Sequence, residues 1–314
     1  MVWLTAFLGL ALLLVAGDLL VRGAVNLSLR LGIPALLVSL TVVALGTSAP
    51  ELIISIQGVL DGVPGLALGN AVGSNTANVL LVLGVPALIS RLHTAEYDTR
   101  KSYVIMVGAS VVFIALCGLG PITWVHGGIL LVLLTGIIAD QARAAIVHRR
   151  ETDATALEGA DPHLSGWKVA IYLVLGLVGL PLGANIFVDS SVEIAKMFGV
   201  SDSAIGLTLV ALGTSMPELA TTVMAAYRRQ ADVALGNVIG SNIFNLLAII
   251  GVASLFGPIP VASNFLTFDL WVMLGASLLL IPFVFPPKWD LTRRFGTILS
   301  VLYVAYVVTV VMKG

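Results

Sequence analysis

Gly46-Thr-Ser-Ala-Pro-Glu-Leu52 and Gly213-Thr-Ser-Met-Pro-Glu-Leu219 are two copies of one phrase, and each lies inside a long apolar run. Each carries a carboxylate, Glu51 or Glu218, at a point where hydrocarbon is expected to surround it. A charge at the centre of a bilayer costs about 2.5–3.5 kcal/mol on insertion scales, so intramembrane acids are rare and mark ion pathways or relays. Two of them in matched contexts point to function.

The rest of the chain agrees with a membrane setting. Of 314 residues, 58% are hydrophobic and only 11% are charged, with a mean hydropathy of +1.05. A soluble chain carries about 25% charged residues. A net charge of −1 without any basic block gives no reason to expect a nucleic-acid partner, and no obligatory protein partner is expected. The single cysteine, Cys117, excludes an internal disulfide and a cysteine-based zinc site. Met1-Val-Trp-Leu lacks a positive leader region, so the N-terminus reads as a first span and not a removable signal.

Breaking the hydropathy at charges and Gly/Pro clusters predicts an all-α membrane protein with ten spans: 3–21, 34–60, 65–89, 102–119, 123–141, 168–188, 201–227, 232–256, 266–286 and 296–312. Gly118-Leu-Gly-Pro121 separates the fourth span from the fifth. Residues 142–167 are polar and without apolar periodicity, which reads as a linker between two halves, 1–141 and 168–314.

Those halves are copies. A shift of 167 residues aligns Asp18–Gly84 with Asn185–Gly251 without a gap. The segment 41–52 repeats as 208–219, and 68–78 repeats as 235–245. Five spans per half is an odd number, so the second copy enters the membrane from the opposite side. Positive charge tests this, because Lys and Arg collect on cytoplasmic loops. With both termini outside, fourteen Lys and Arg residues fall on the inner side, against Lys196 and Lys313 on the outer. The expectation is an inverted repeat in a plasma membrane, with a cytoplasmic linker. That is an architecture of secondary transporters, whose site lies where the copies meet. Pro50 and Pro217 lack an N–H and are expected to break their helices, freeing the carbonyls of Gly46 and Gly213. Irregular backbone of this kind survives at membrane depth only when buried or lining a cavity.

Oxygen-bearing residues gather in these segments. Thr47 and Glu51 stand four apart, a same-face spacing on one helix, with Ser48 beside them; Thr214, Ser215 and Glu218 repeat the set. Asn70, Ser74 and Asn78 form a polar stripe at four-residue steps, and Asn237, Ser241 and Asn245 form its twin. Stripes of this sort also serve as hydrogen-bonding and packing seams between membrane helices. Oxygen donors without imidazole or thiolate suit hard cations, calcium above all. The four histidines fall near span ends or in the linker. An intramembrane enzyme using Ser48 or Ser215 needs a base within hydrogen-bond reach, and no histidine lies in those regions. A passive cation channel remains as a rival, separated by whether flux is coupled to a second ion.

Both phrases and both Gly-Asn-x-x-Gly-Ser-Asn segments resemble the α-repeats of the sodium/calcium exchanger family, within the calcium/cation antiporter superfamily. The resemblance spans nearly the whole chain, and it implies a calcium-for-sodium antiporter, needing no cofactor, that works by alternating access. It implies Glu51 and Glu218, with main-chain oxygens of Thr47 and Thr214, as calcium ligands. Sodium or another counter-ion would use Ala44, Ser48, Ser74 and Asn78 from the first copy and Ala211, Ser215, Ser241 and Asn245 from the second. It also implies that spans 3–21 and 168–188 slide as a gate over the motif helices. One position departs from the pattern: several exchangers carry aspartate where Asn245 stands, so a third carboxylate is missing here, and proton- or potassium-coupled exchange stays open beside sodium. The short linker has no room for the cytosolic calcium-sensing domains of animal exchangers.

Overall fold

The computed structural model describes residues 1–94, 98–151, 164–198, 211–286 and 289–313. It is all-helical among those residues. The elements are α1 (Val2–Leu31), α2 (Ala35–Thr47), α3 (Ala49–Leu60), α4 (Gly65–Ile89), α5 (Arg100–Gly118), α6 (Trp124–Glu151), α7 (Gly166–Met197), the short α8 (Ala211–Gly213), α9 (Met216–Tyr227), α10 (Ala231–Ala253), α11 (Phe265–Val284) and α12 (Arg293–Lys313). Among the described residues, eight helices are long and apolar enough to cross a membrane, or nine when the bent pair α2–α3 counts as one. The expected span 201–227 begins outside the described residues, and its remainder is α8 and α9.

Several boundaries differ from the expectation for one reason. Helix α1 runs to Leu31, past the expected stop at residue 21, and α7 covers Gly166–Met197 where 168–188 was expected. Charge was read as a helix end, yet Asp18 and Arg22 lie within α1 and pair with each other at 3.0 Å. Asp18 also accepts from Arg228, just past the end of α9. Paired charges at a membrane boundary need not stop a helix, since long side chains reach out of hydrocarbon with their charge neutralised. Helix α6 likewise continues to Glu151, so the first part of the expected linker 142–167 is helical.

The centre of the molecule is α10, whose most apolar 18-residue stretch is buried throughout, with α4 beside it. Around them a single large core cluster joins α4, α5, α10, α11 and α12. Helices α1 and α7 share a second cluster with α2 and α9, built on Leu13, Leu20, Leu180 and Ala220, while Val21 and Val25 of α1 also reach the large core. They run antiparallel: Gly9 meets Phe187, Gly183 meets Leu13, and Gly176 meets Leu20. The two glycines Gly9 and Gly176 stand 167 apart. At either one a Cβ would lie 2.6 Å from the facing helix, so only glycine permits this approach.

Two short antiparallel bridges tie helix ends together, Leu92 with Leu291 and Ile122 with Ile259. The first is reinforced by Asp290, which pairs with Arg91 at 2.8 Å and His93 at 3.2 Å. Leu92 and Ile259 again stand 167 apart.

Candidate ion site

Both prolines break their helices at the same place. The chain turns at Ser48 (φ −86, ψ 5) and at Ser215 (φ −86, ψ 3), and a new helix starts with proline in its first turn. The α2–α3 bend is 42°. Proline suits that first turn, where no N–H partner is needed. The break separates Thr47 from Glu51: Thr47 ends α2 and Glu51 lies in the first turn of α3. Their shared neighbourhood therefore comes from the turn and not from four-residue spacing on one helix. Glu218 occupies the matching first turn of α9. Helix N-termini carry partial positive charge, which favours a carboxylate there.

Both carboxylates are only 1% exposed. Within each copy the polar stripe grips the broken helix in the same way. Asn70 Nδ2 donates to the Glu51 carbonyl at 3.1 Å and to Ser55 Oγ at 3.0 Å. Asn237 Nδ2 donates to the Glu218 carbonyl at 3.4 Å and to Thr222 Oγ1 at 3.2 Å. Between copies, Ser48 Oγ donates to Glu218 Oε1 at 3.2 Å, and Thr47 Oγ1 donates to Asn237 Oδ1 at 3.3 Å.

The remaining expected site residues collect around this seam. Ala44, Ser74, Asn78, Ser215, Ser241 and Asn245 are all buried. Thr214 lies half-buried in the turn after α8. Ala211 opens α8, and its side chain is outside the description. Asn78 and Asn245 each open a π-helical turn, at Asn78–Val82 and Asn245–Ile249. Single π turns inside helices recur at functional sites.

Burial leaves several of these oxygens without partners. Both oxygens of Glu51, Oε2 of Glu218, Oδ1 of Asn78 and of Asn245, and the hydroxyl of Ser215 make no hydrogen bond among the described residues. A buried polar group left unpaired costs about 1–3 kcal/mol, and a charged one more. A cation ringed by these atoms would remove that cost. No three His, Cys, Asp or Glu side chains converge among the described residues, so the ring is two carboxylates and neutral oxygens. That donor set fits a hard cation.

Two residues here carry a role that the polar stripes did not reveal. Asn75 and Asn242 lie one position past Ser74 and Ser241, outside the four-residue stripe, and join α4 to α10 across the seam. Their signal in the sequence is that both copies hold Asn at this position.

The family model for the sodium/calcium exchanger protein matches residues 1–139 and 168–312. The chain belongs to the sodium/calcium exchanger family. It is 33% identical to the sodium/calcium exchanger MaX1 of Methanosarcina acetivorans, over 98% of this chain and 97% of that one. It is 36% identical to the inner membrane protein YrbG of Escherichia coli, over 86% and 85% of the two chains. A solved structure of the sodium-calcium exchanger NCX_Mj, soaked with Na+ and Sr2+, superposes with a TM-score of 0.82 at 32% identity, covering 98% of this chain and 99% of that one. This sodium/calcium exchanger family member is thus a multi-pass membrane antiporter, of a transporter and not an enzyme family.

Proposed function

We propose that the protein exchanges Ca2+ for Na+ across a plasma membrane by alternating access at one site between two inverted five-span copies. The observation that carries this is the set of buried oxygens, on Glu51 and Glu218 and on the repeat-matched Ser and Asn side chains, that find no partner among the described residues. Two ionised glutamates supply a charge of −2, which one Ca2+ or two monovalent cations neutralise. Bare, they are two desolvated charges, each costing several kcal/mol. The ion-free protein therefore resists the change of access, and that resistance is what couples the two fluxes. An ion drives the change only through different interactions with the two states.

In this reading Glu51 and Glu218, with main-chain oxygens of Thr47 and Thr214, bind calcium. Ala44, Ser48, Ser74, Asn78, Ala211, Ser215, Ser241 and Asn245 serve the counter-ion. Ten spans in two inverted copies, 1–141 and 168–314, are supported by the offset of 167 that relates the two Asn-to-Glu grips, the twin glycines and the bridge residues Leu92 and Ile259. The antiparallel contact of α1 with α7 fits first helices that enter from opposite sides. The charge distribution favours both termini outside and the linker in the cytoplasm. The close glycine contacts between α1 and α7 suit their moving as a pair.

A second reading, exchange driven by protons or potassium, draws on Asn245, which leaves the ring with two carboxylates and no third. Proteoliposomes loaded in parallel with sodium, potassium or acid test both. Uptake of radioactive calcium driven by the sodium gradient is the expected result. Uptake driven by a proton or potassium gradient alone replaces sodium as the counter-ion, and uptake indifferent to all three overturns exchange in favour of a channel.

A further inference from the structure

Asparagines 75, 78 and 242 meet where α4 crosses α10, and their hydrogen bonds fix which end of each of these three amides faces which way; Asn245 follows Asn242 on α10. An amide's oxygen and nitrogen are told apart by their partners. Asn75 Nδ2 donates to the Asn242 main-chain carbonyl at 3.1 Å. Asn242 Nδ2 faces the Asn75 carbonyl at 3.5 Å and Met106 Sδ at 3.6 Å. A carbonyl and a thioether only accept, so each of these amides must turn its NH2 toward them. The oxygens Oδ1 of Asn75 and Asn242 are thereby set as acceptors facing the other way.

The consequence passes across to an asparagine on the opposite helix. Asn242 Oδ1 takes the Asn78 amide nitrogen at 3.0 Å. Asn78 must therefore turn its own Oδ1 away, and that oxygen is buried without a partner among the described residues. In the other copy, Asn75 Oδ1 presents the same acceptor, and Asn245 Nδ2 is a buried donor equally without a partner there. The two are the 167-offset counterparts of the Asn242 Oδ1 and Asn78 Nδ2 that already bond, but no hydrogen bond joins them here.

We infer that Asn242 is a positioning residue that orients the amide of Asn78, and that Asn75 does the same for Asn245 when their counterpart bond closes, so that each presents its carbonyl oxygen, and not its NH2, to a cation. An amide turned the wrong way would point two positive hydrogens at the ion. This matters most in a chain with asparagine at 245, because a carboxylate presents oxygen in either orientation and an amide in only one. The inference rests on the reading of Asn78 and Asn245 as counter-ion ligands.

The test is a pair of double-mutant cycles in proteoliposomes, with the sodium concentration for half-maximal calcium uptake as the readout and thermal unfolding as a control. Asn242→Ala is expected to raise that concentration about fivefold to tenfold, the scale of one lost hydrogen bond. Asn78→Ala should raise it too, and Asn242→Ala should add nothing in the Asn78→Ala background while multiplying with Asn245→Ala. Asn75→Ala should show the reverse pattern, silent on top of Asn245→Ala and multiplying with Asn78→Ala. Interaction of this kind is what distinguishes a residue acting through another from one acting alone. If Asn242→Ala does not fold, Asn242→Ser, too short to reach Asn78, replaces it. Lower thermal stability with unchanged sodium dependence means a packing role and overturns the inference. Multiplying effects of Asn78→Ala and Asn242→Ala overturn it too, while leaving Asn78 a ligand. An Asn78→Ala variant with normal sodium dependence removes the ligand reading itself, and the inference with it.

Discussion

The hydrogen bonds that Asn70 and Asn237 make inside their own copies are duplicated, and so is the Asn75–Asn242 pair between the copies, whereas two other bonds across the seam have no counterpart among the described residues. Asn70 and Asn237 make the same pair of bonds to their own broken helices. Across the seam, Ser48 reaches Glu218 and Asn78 reaches Asn242. Their counterparts, Ser215 with Glu51 and Asn245 with Asn75, leave atoms unpartnered on both sides. The difference separates two kinds of cause. A bond within a copy follows from local sequence, which is nearly identical in the two. A bond between copies depends on how they are docked, and a docking that favours one of two equivalent pairings is intrinsically asymmetric. Alternating access needs such asymmetry, because two states related by exchange of the copies are distinct only if each is lopsided.

The largest effect expected tests what the two copies share. Glu51→Gln and Glu218→Gln keep size and remove charge, and each should lower calcium exchange by about a hundredfold or more, as charge-assisted contacts of about 1.5–3 kcal/mol per bond are lost. Radioactive calcium uptake reads this directly. Retained flux in either variant would take that glutamate out of the site and leave the two copies chemically unequal. Next come the grips. Asn237 holds a carbonyl and Thr222 and also accepts from Thr47, while Asn70 makes only the first two kinds of bond. Asn237→Ala should therefore destabilise the purified protein more than Asn70→Ala, by about 1 kcal/mol for the extra buried bond. Thermal unfolding in detergent measures it, and equal losses would mean that the Thr47 contact contributes nothing.

How much of this was legible in the sequence follows the same division. The matched phrases, the proline breaks and the stripe asparagines are local features, and local chemistry implied them: Pro50 and Pro217 stand in the first turns of new helices. The length of α1 was not legible, because Asp18 is matched by Arg228, a residue 210 positions away. The same holds for α6, which carries its helix beyond the polarity that looked like a linker. Spacing within one helix also misdescribed Thr47 and Glu51, since the turn at Ser48 lies between them. Asn75 and Asn242 escaped for the reason that makes them informative. Their partners are carbonyls on the opposite copy, and no periodicity along one helix announces a contact with another.

The smallest effect expected bears on the asymmetry itself. Ser48→Ala removes the hydroxyl that donates to Glu218, and Ser215→Ala removes its counterpart, which donates to nothing among the described residues. A hydrogen bond to a buried carboxylate has two opposing consequences for ion binding. It stabilises the ionised acid, which favours the cation, and it occupies a lone pair, which competes with the cation. The hydroxyl oxygen can turn to become a ligand once its proton is directed elsewhere, so the first consequence should win. Ser48→Ala is then expected to weaken equilibrium calcium binding by about threefold to tenfold, the range for one modest hydrogen bond, while Ser215→Ala changes it less. Calorimetry on the detergent-solubilised protein measures both in the absence of turnover, so that cycling between states does not average the two seryl residues. Equal losses would show that the two hydroxyls contribute alike to ion binding, and that the one-sided Ser48–Glu218 bond does not carry over to the ion-bound state.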